Sequence, residues 1–165
     1  LIPEMDNLIE WLPQNIPPGE ETSIVHGDFR LDNMVFDKNS NEVIAILDWE
    51  LSTLGHPIAD FTYHMMTWRM PLGVQGIGIL GANLDELNIP NENEYAEAYY
   101  QKTNRNEIHN WDFFLAYNMF RLAGITQGIA GRVRDGTASS DQAKQYGALV
   151  PILSQMAWKI VENIK

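Results

Sequence analysis

Apolar positions along the chain fall first into short β-type runs and then into helical spacing, with the change near Pro57. Before the strands, Leu8, Ile9 and Leu12 cluster as one face of a short helix that Pro13 is expected to stop. Pro17-Pro18-Gly19 then reads as a turn or linker. Ser23-Ile24-Val25 and Met34-Val35-Phe36 are short strand candidates. Val43 to Leu47 is a β-branched apolar run that predicts a buried strand, and the polar stretch Asp37 to Asn41 before it makes Met34 to Leu47 a hairpin with a longer loop. From Pro57, which suits the first turn of a helix, the repeat Ile58, Phe61, Met65, Trp68 has helical spacing. Residues 70 to 90 gather Pro71, Gly73, Gly76, Gly78, Gly81 and Pro90, and predict a mobile loop or lid. Asn91 and Glu94 form a capping pair for a helix through about Lys102. Trp111 to Arg132 reads as one long helix, and Ser139 with Gln142 opens a last helix kinked at Pro151. Short strands followed by segregated helices define an α+β fold, mainly helical.

A length of 165 residues with 45% hydrophobic and 10% aromatic content suits a single domain with a sizeable core. The formal net charge of -11 and the lack of any Lys/Arg run argue against nucleic acid and against an anionic membrane as partners. With no cysteine, disulfides, thiol catalysis and Cys-ligated zinc are excluded. No apolar run reaches the roughly 18 residues of a membrane helix, and the first residues lack a signal-peptide profile, so a cytoplasmic location is expected. The chain does not start with Met, which fits a piece of a longer protein.

The chemistry concentrates in two segments. In Ile24-Val-His-Gly-Asp-Phe-Arg-Leu-Asp-Asn-Met-Val-Phe36, a strand leads into His26-Gly27-Asp28 and a polar loop ends at Asn33. Asp28 and Asn33 have the separation of the kinase catalytic loop, H-R-D-x-x-x-x-N. Phosphoryl transfer needs a carboxylate that orients the attacking hydroxyl and takes its proton, and a neutral oxygen ligand for magnesium. One short loop can aim both at the same phosphoryl group. In Ile44-Ala-Ile-Leu-Asp48-Trp49-Glu50, an acid closes an apolar strand, where kinases place a second magnesium ligand. Asp28 is thus the candidate base, and Asn33 and Asp48 the candidate ligands of Mg2+ and, through it, of ATP.

His26-Gly27-Asp28, Asn33 and Asp48, followed by Gly55-His56-Pro57 and Asp60, resemble the aminoglycoside-phosphotransferase and choline-kinase-like family, with its D-x6-G-x-P-x-x-D second motif. The closer likeness is to the branch related to the kinase-like domains of some acyl-CoA dehydrogenases, and Phe120-Arg-Leu-Ala-Gly-Ile-Thr-Gln-Gly128 shares it. Phe29-Arg30-Leu31-Asp32 departs from the loop of antibiotic-modifying members. The resemblance implies a protein-kinase-like C-terminal lobe over residues 1–165, whose ATP-cradling N-terminal lobe, with its glycine-rich loop and lysine, is not in this sequence. It implies an ATP-dependent kinase acting on the hydroxyl of a small molecule. It also implies that His26 braces the loop and that Asp60 hydrogen-bonds the loop backbone.

Other residues carry two readings. Arg30 could meet phosphate or a substrate carboxylate, or pair with Asp32. Arg121, Gln127, Arg132 and Arg134 could meet an anionic substrate, or be solvated or paired. Glu50 is expected to be a solvated acid, and the Trp and Met residues of 65 to 70 to be core. Gly124, Gly128 and Gly131 are expected to allow close helix packing. Gly76-x-Gly78-x-x-Gly81 has phosphate-loop letters but follows no convincing strand. Two other functions stand beside the kinase: a non-catalytic kinase-like binding module, and a metal-dependent hydrolase using Asp28, Asp48 and one of His26, His56, His64 or His109.

Overall fold

The computed structural model describes residues 1–72, 78–105, 110–138 and 143–164. The chain folds as the mainly helical C-terminal lobe of a protein-kinase-like fold, with its few strands gathered between the first helix and the others. The strands form two separate antiparallel pairs: β1 (Ser23–Val25) with β4 (Thr53–Gly55), and β2 (Met34–Phe36) with β3 (Val43–Ile46). Ile24 lies opposite Leu54 in the first pair, and Met34 opposite Ile46 in the second. The helices are α1 (Pro3–Gln14), α2 (Pro57–Met65), α3 (Glu92–Thr103), α4 (Trp111–Arg134), α5 (Ala143–Gly147) and α6 (Val150–Glu162).

The core sits among α1, α2, α4 and α6, where Leu8, Met65, Met66, Met70, Leu115, Met119 and Leu153 are almost wholly enclosed. The Trp and Met residues of 65–70 are core, as their spacing predicts. The long helix α4 is the spine, and α2, which carries part of the site, packs directly on it. Asn118 of α4 clamps α2: its Nδ2 donates to the Ala59 carbonyl at 2.8 Å and to Thr62 Oγ1 at 2.9 Å. α3 starts at the Asn91–Glu94 capping box, with Asn91 Oδ1 accepting from the Glu94 N–H at 3.0 Å and the Glu94 carboxylate accepting from the Asn91 N–H at 2.9 Å.

Four expectations change. Pro13 lies inside α1 rather than ending it, because a proline in the last turn forfeits only one helical bond. The end is made at Asn15, whose N–H donates to the Leu12 carbonyl and whose Nδ2 donates to the Trp11 carbonyl at 2.8 Å. The Val43–Leu47 run is a strand but not a buried one: Ile44 is 62% exposed and Leu47 52%. Gly124 and Gly128 do not serve close packing, since a Cβ on either would meet no atom within 4 Å, and the same holds for Gly131. The tight approach is made instead by Gly147 of α5, where a Cβ would come within 2.9 Å of the Ala130 Cβ on α4. Last, the C-terminal segment is two helices, α5 and α6, and Pro151 sits in the first turn of α6, where its missing N–H costs nothing. Gly73, Gly76, His109 and the Ser139–Gln142 capping pair lie outside the described residues. The flanks of the 70–90 segment are tied together by a bridge between Pro71 and Leu80.

Candidate active site

The loop between β1 and β2 is held by α2, β3 and α4 at once. Asp60, in the first turn of α2, accepts the His26 N–H at 2.8 Å and the Gly27 N–H at 2.9 Å, one on each carboxylate oxygen. The imidazole of His26 is 2% exposed. Its Nδ1 accepts the Asp28 N–H at 3.2 Å, so its Nε2 carries the proton and donates to the Leu47 carbonyl at 2.7 Å. The ring also lies 4.7 Å from the Trp49 ring. Gly27 adopts φ 84°, and a Cβ there would lie 2.6 Å from the Leu51 carbonyl oxygen, so both the left-handed turn and the close approach require glycine. Arg121 of α4 donates to the Gly27 carbonyl and lies 4.9 Å over the Tyr63 ring.

These contacts set the direction of the two candidate groups in the loop. Asn33 Nδ2 donates to the Asp28 carbonyl at 2.9 Å and to the Asp28 carboxylate at 3.1 Å. Its amide orientation is therefore fixed, with the donor side spent on Asp28 and the oxygen left for a cation. The Asn33 carbonyl accepts the Leu47 N–H at 2.8 Å. Leu47 is thus gripped from both sides, by His26 at its carbonyl and by Asn33 at its N–H, and Asp48 is the next residue. Asp48 is exposed and sits at φ 65°, ψ 52°, a left-handed conformation uncommon for a residue with a Cβ. Backbone strain of this kind gathers at functional sites, where surrounding contacts over-determine it.

Tyr63, three residues beyond Asp60 on α2, was not singled out in the sequence. Burial, and then the hydrogen bond and charge of the Asp28 carboxylate, push its phenol up to about 12, against the opposing charges of Arg121 and Arg30. The i+3 relation to Asp60 is the signal that could have found it, because it places both on the loop-facing side of one helix. Arg30 pairs with Asp32. Burial works to lower its pKa, but the bond and charge of Asp32 and the charge of Asp28 outweigh that and leave it raised. Of the other polar side chains considered from sequence, Arg121 is engaged by the loop backbone, Arg134 pairs with Asp135, and Gln127 and Arg132 are exposed. Glu50 is exposed in the short turn after Asp48.

The donor set suits magnesium rather than zinc. Among the described residues no three His, Asp or Glu side chains converge on one point. A hydrolytic zinc site needs about three such ligands from the protein. Magnesium takes one or two protein oxygens and completes its shell with water and substrate phosphates. The Asn33 amide oxygen and the Asp48 carboxylate are of that type.

Residues 1–103 match the model of the phosphotransferase enzyme family. The chain is 42% identical to mouse acyl-CoA dehydrogenase family member 10 over 158 residues, covering 95% of this chain and 15% of that protein. It is 40% identical to human acyl-CoA dehydrogenase family member 11 over 156 residues, covering 93% of this chain and 20% of that protein. The crystal structure of a candidate aminoglycoside phosphotransferase from Ralstonia eutropha superposes with a TM-score of 0.95 at 50% identity, over 100% of this chain and 50% of that one. The chain thus spans a small part of the two dehydrogenase relatives and half of the Ralstonia protein.

Proposed function

The chain belongs to the phosphotransferase enzyme family, and from that premise we propose that it is the catalytic C-terminal lobe of a magnesium- and ATP-dependent kinase for the hydroxyl of a small molecule. The observation that carries the proposal is the double grip on Leu47, which ties the Asp28–Asn33 loop to the strand end that presents Asp48. Two motifs separated in sequence become one unit, as phosphoryl transfer requires.

In this reading Asp28 is the base. It orients the acceptor hydroxyl and takes its proton as the oxygen forms a bond to the terminal phosphorus of ATP. The bond from that phosphorus to the bridging oxygen breaks, and ADP leaves. Asn33 holds the Asp28 carboxylate in place through Nδ2, and its amide oxygen, with Asp48, would hold magnesium. Magnesium supplies neutralisation of phosphate charge. His26 and Asp60 fix the loop backbone, and Arg121 fixes it at Gly27. Catalysis of this kind is positioning and electrostatics with little covalent chemistry by the protein.

The partner of this lobe in the same protein is a covering lobe with a glycine-rich loop and a lysine for the ATP phosphates. Its support is the apolar surface of the strands: Ile24 is 73% exposed, Leu54 70% and Ile44 62%. Ile24 and Leu54 are partners across the β1–β4 pair, and exposed apolar surface of this kind marks an interaction face. No helix among the described residues is long and apolar enough to cross a membrane, and a cytoplasmic location remains part of the proposal. The test is a metabolite screen with the complete protein, magnesium-ATP and small alcohols, reading ADP release and the phosphate ester by phosphorus NMR. An ester formed only with magnesium-ATP supports the kinase; inorganic phosphate release from preformed phosphate esters without ATP would make it a hydrolase.

A further inference from the structure

We infer that the acceptor is an alcohol carried on an uncharged, apolar body, seated in the cavity beside Asp28 and hydrogen-bonded there to His64. The inference rests on the kinase reading above and narrows its substrate.

A cavity of about 410 Å³ opens between the loop residues Arg30 and Leu31 and the end of α2, with Trp68, Ile89 and Tyr95 on its far walls. The size is within the range of about 300–1,000 Å³ usual for small-molecule sites. Its connection to the chemistry is Tyr63, which lines the cavity and lies near enough to the Asp28 carboxylate for that group to raise its phenol. A molecule in the cavity therefore lies beside the loop that carries the candidate base, against its residues 30–32.

The lining decides the class of molecule. Its charged side chains are Arg30 and Asp32, and they neutralise each other as an ion pair. A polycationic amino sugar would have to shed water there with the lining carboxylate, Asp32, already held by Arg30, a cost that apolar walls do not return. The Trp68 and Tyr95 rings stack at 5.0 Å with 26° between their planes. Trp68 Nε1 is already satisfied by the Pro90 carbonyl at 2.9 Å, so the indole offers the cavity only apolar surface.

His64 adds the polar contact. It is 8% exposed, lines the cavity, and lies edge-on to Phe29 at 6.0 Å and to Trp68 at 5.7 Å. Among the described residues its ring nitrogens have no hydrogen-bond partner, while the imidazoles of His26 and His56 both do. A polar ring that solvent can still reach is open to a hydrogen bond from water or from a ligand in the cavity. Burial holds its pKa below the usual value, so at neutral pH it offers one donor and one acceptor rather than a charge. A carbonyl or hydroxyl on an otherwise apolar body matches it.

The test compares kcat/KM of the complete protein for cyclohexylmethanol, benzyl alcohol and their keto- or hydroxyl-bearing analogues with that for choline and kanamycin. Two variants accompany it, each checked for folding by thermal melting. Ile89→Trp fills the cavity from the wall. Leu31→Asp, at a side chain already 62% exposed, adds an acid at the mouth without touching the core. The expected result is preference for the apolar alcohols, highest for the analogues that bear a second polar group. Ile89→Trp should lower their kcat/KM about tenfold or more through KM, the size of effect an apolar pocket contact supplies. Leu31→Asp should move the ratio of apolar alcohol to choline about tenfold toward choline, which a merely weakened enzyme would not show. Should Ile89→Trp fail to fold, that ratio decides alone. Higher kcat/KM for kanamycin or choline than for every apolar alcohol, or a ratio unmoved by Leu31→Asp, overturns this inference and leaves the kinase standing. If no alcohol of either class is phosphorylated, the kinase reading falls and this inference with it.

Discussion

At the scale of single residues, the proposed site would separate groups that touch substrate from groups that hold them. Asp28 is placed by two neighbours: Asn33 on its carboxylate and carbonyl, and His26 on its N–H. Asp28→Asn in the complete protein should lower kcat by about 10²–10⁴, the usual worth of general-base catalysis, because the amide cannot take the proton. Calorimetry should show magnesium-ATP affinity nearly unchanged, and Asp48→Asn should give the opposite pattern, with weakened affinity; wild-type turnover in Asp28→Asn would refute the base assignment. A second expectation concerns acid. Burial lowers the pKa of His64, so as pH falls the unfolded chain binds its proton before the folded chain does. Its contribution is present above the ordinary value of 6.5 and is lost as pH falls below it. His64→Phe, an aromatic suited to the Phe29, Trp68 and Tyr95 surroundings, should flatten part of the loss in melting temperature between about pH 7 and 5. An identical slope in both proteins would show that His64 is not held neutral. The motif residues themselves were legible in the sequence because their spacing is chemical. Tyr63 and the grip of Arg121 on the loop were not, because contacts between residues 94 positions apart leave no local pattern.

At the scale of elements, hydrophobic spacing located the strands and helices well but could not say what covers them. The β-branched run of β3 announces a strand, and its period says nothing of whether a partner layer is present, which is why its exposure was not foreseen. Pro13 and Pro151 show a related limit: proline marks a helix end only when the position within the turn is known. The glycines of α4 show it most clearly. Their spacing suggests a packing stripe, whereas the neighbours of each Cβ position place the close approach at Gly147. Gly124→Ala and Gly128→Ala should each stabilise the protein by about 0.5–1 kcal/mol, since a mid-helix glycine with open space around it only adds unfolded-state entropy. Gly147→Ala should lower stability, because its Cβ would press on Ala130 at 2.9 Å. Urea denaturation of the three variants checks both signs, and a stabilised Gly147→Ala would show that α5 shifts freely against α4.

At the scale of the whole molecule, in the kinase reading the described lobe would supply the magnesium ligands, the base and the acceptor cavity. The kinase reading requires a second wall, because the lysine that holds the α- and β-phosphates and the glycine-rich loop that covers them belong to the other lobe of such enzymes. This sequence contains no glycine-rich loop leading to a strand lysine and a helix glutamate. The 165 residues expressed alone should therefore fold, because the core among α1, α2, α4 and α6 closes on itself, with Leu8, Leu115 and Leu153 at 0% exposure. They should not turn over ATP at an enzymatic rate. Two forces oppose nucleotide binding in that state. A net charge of -11 repels a polyanion, and only magnesium arriving with the nucleotide offsets it locally. In the kinase reading, the loop that covers the phosphates and excludes water belongs to the other lobe. Calorimetric titration of the isolated chain with magnesium-ATP should give weak or undetectable binding, and a coupled assay should detect no ADP release above background. Restoring the rest of the protein should bring both back together. Tight binding with rapid turnover by these residues alone would place the ATP site within the helical lobe and overturn the two-walled cleft.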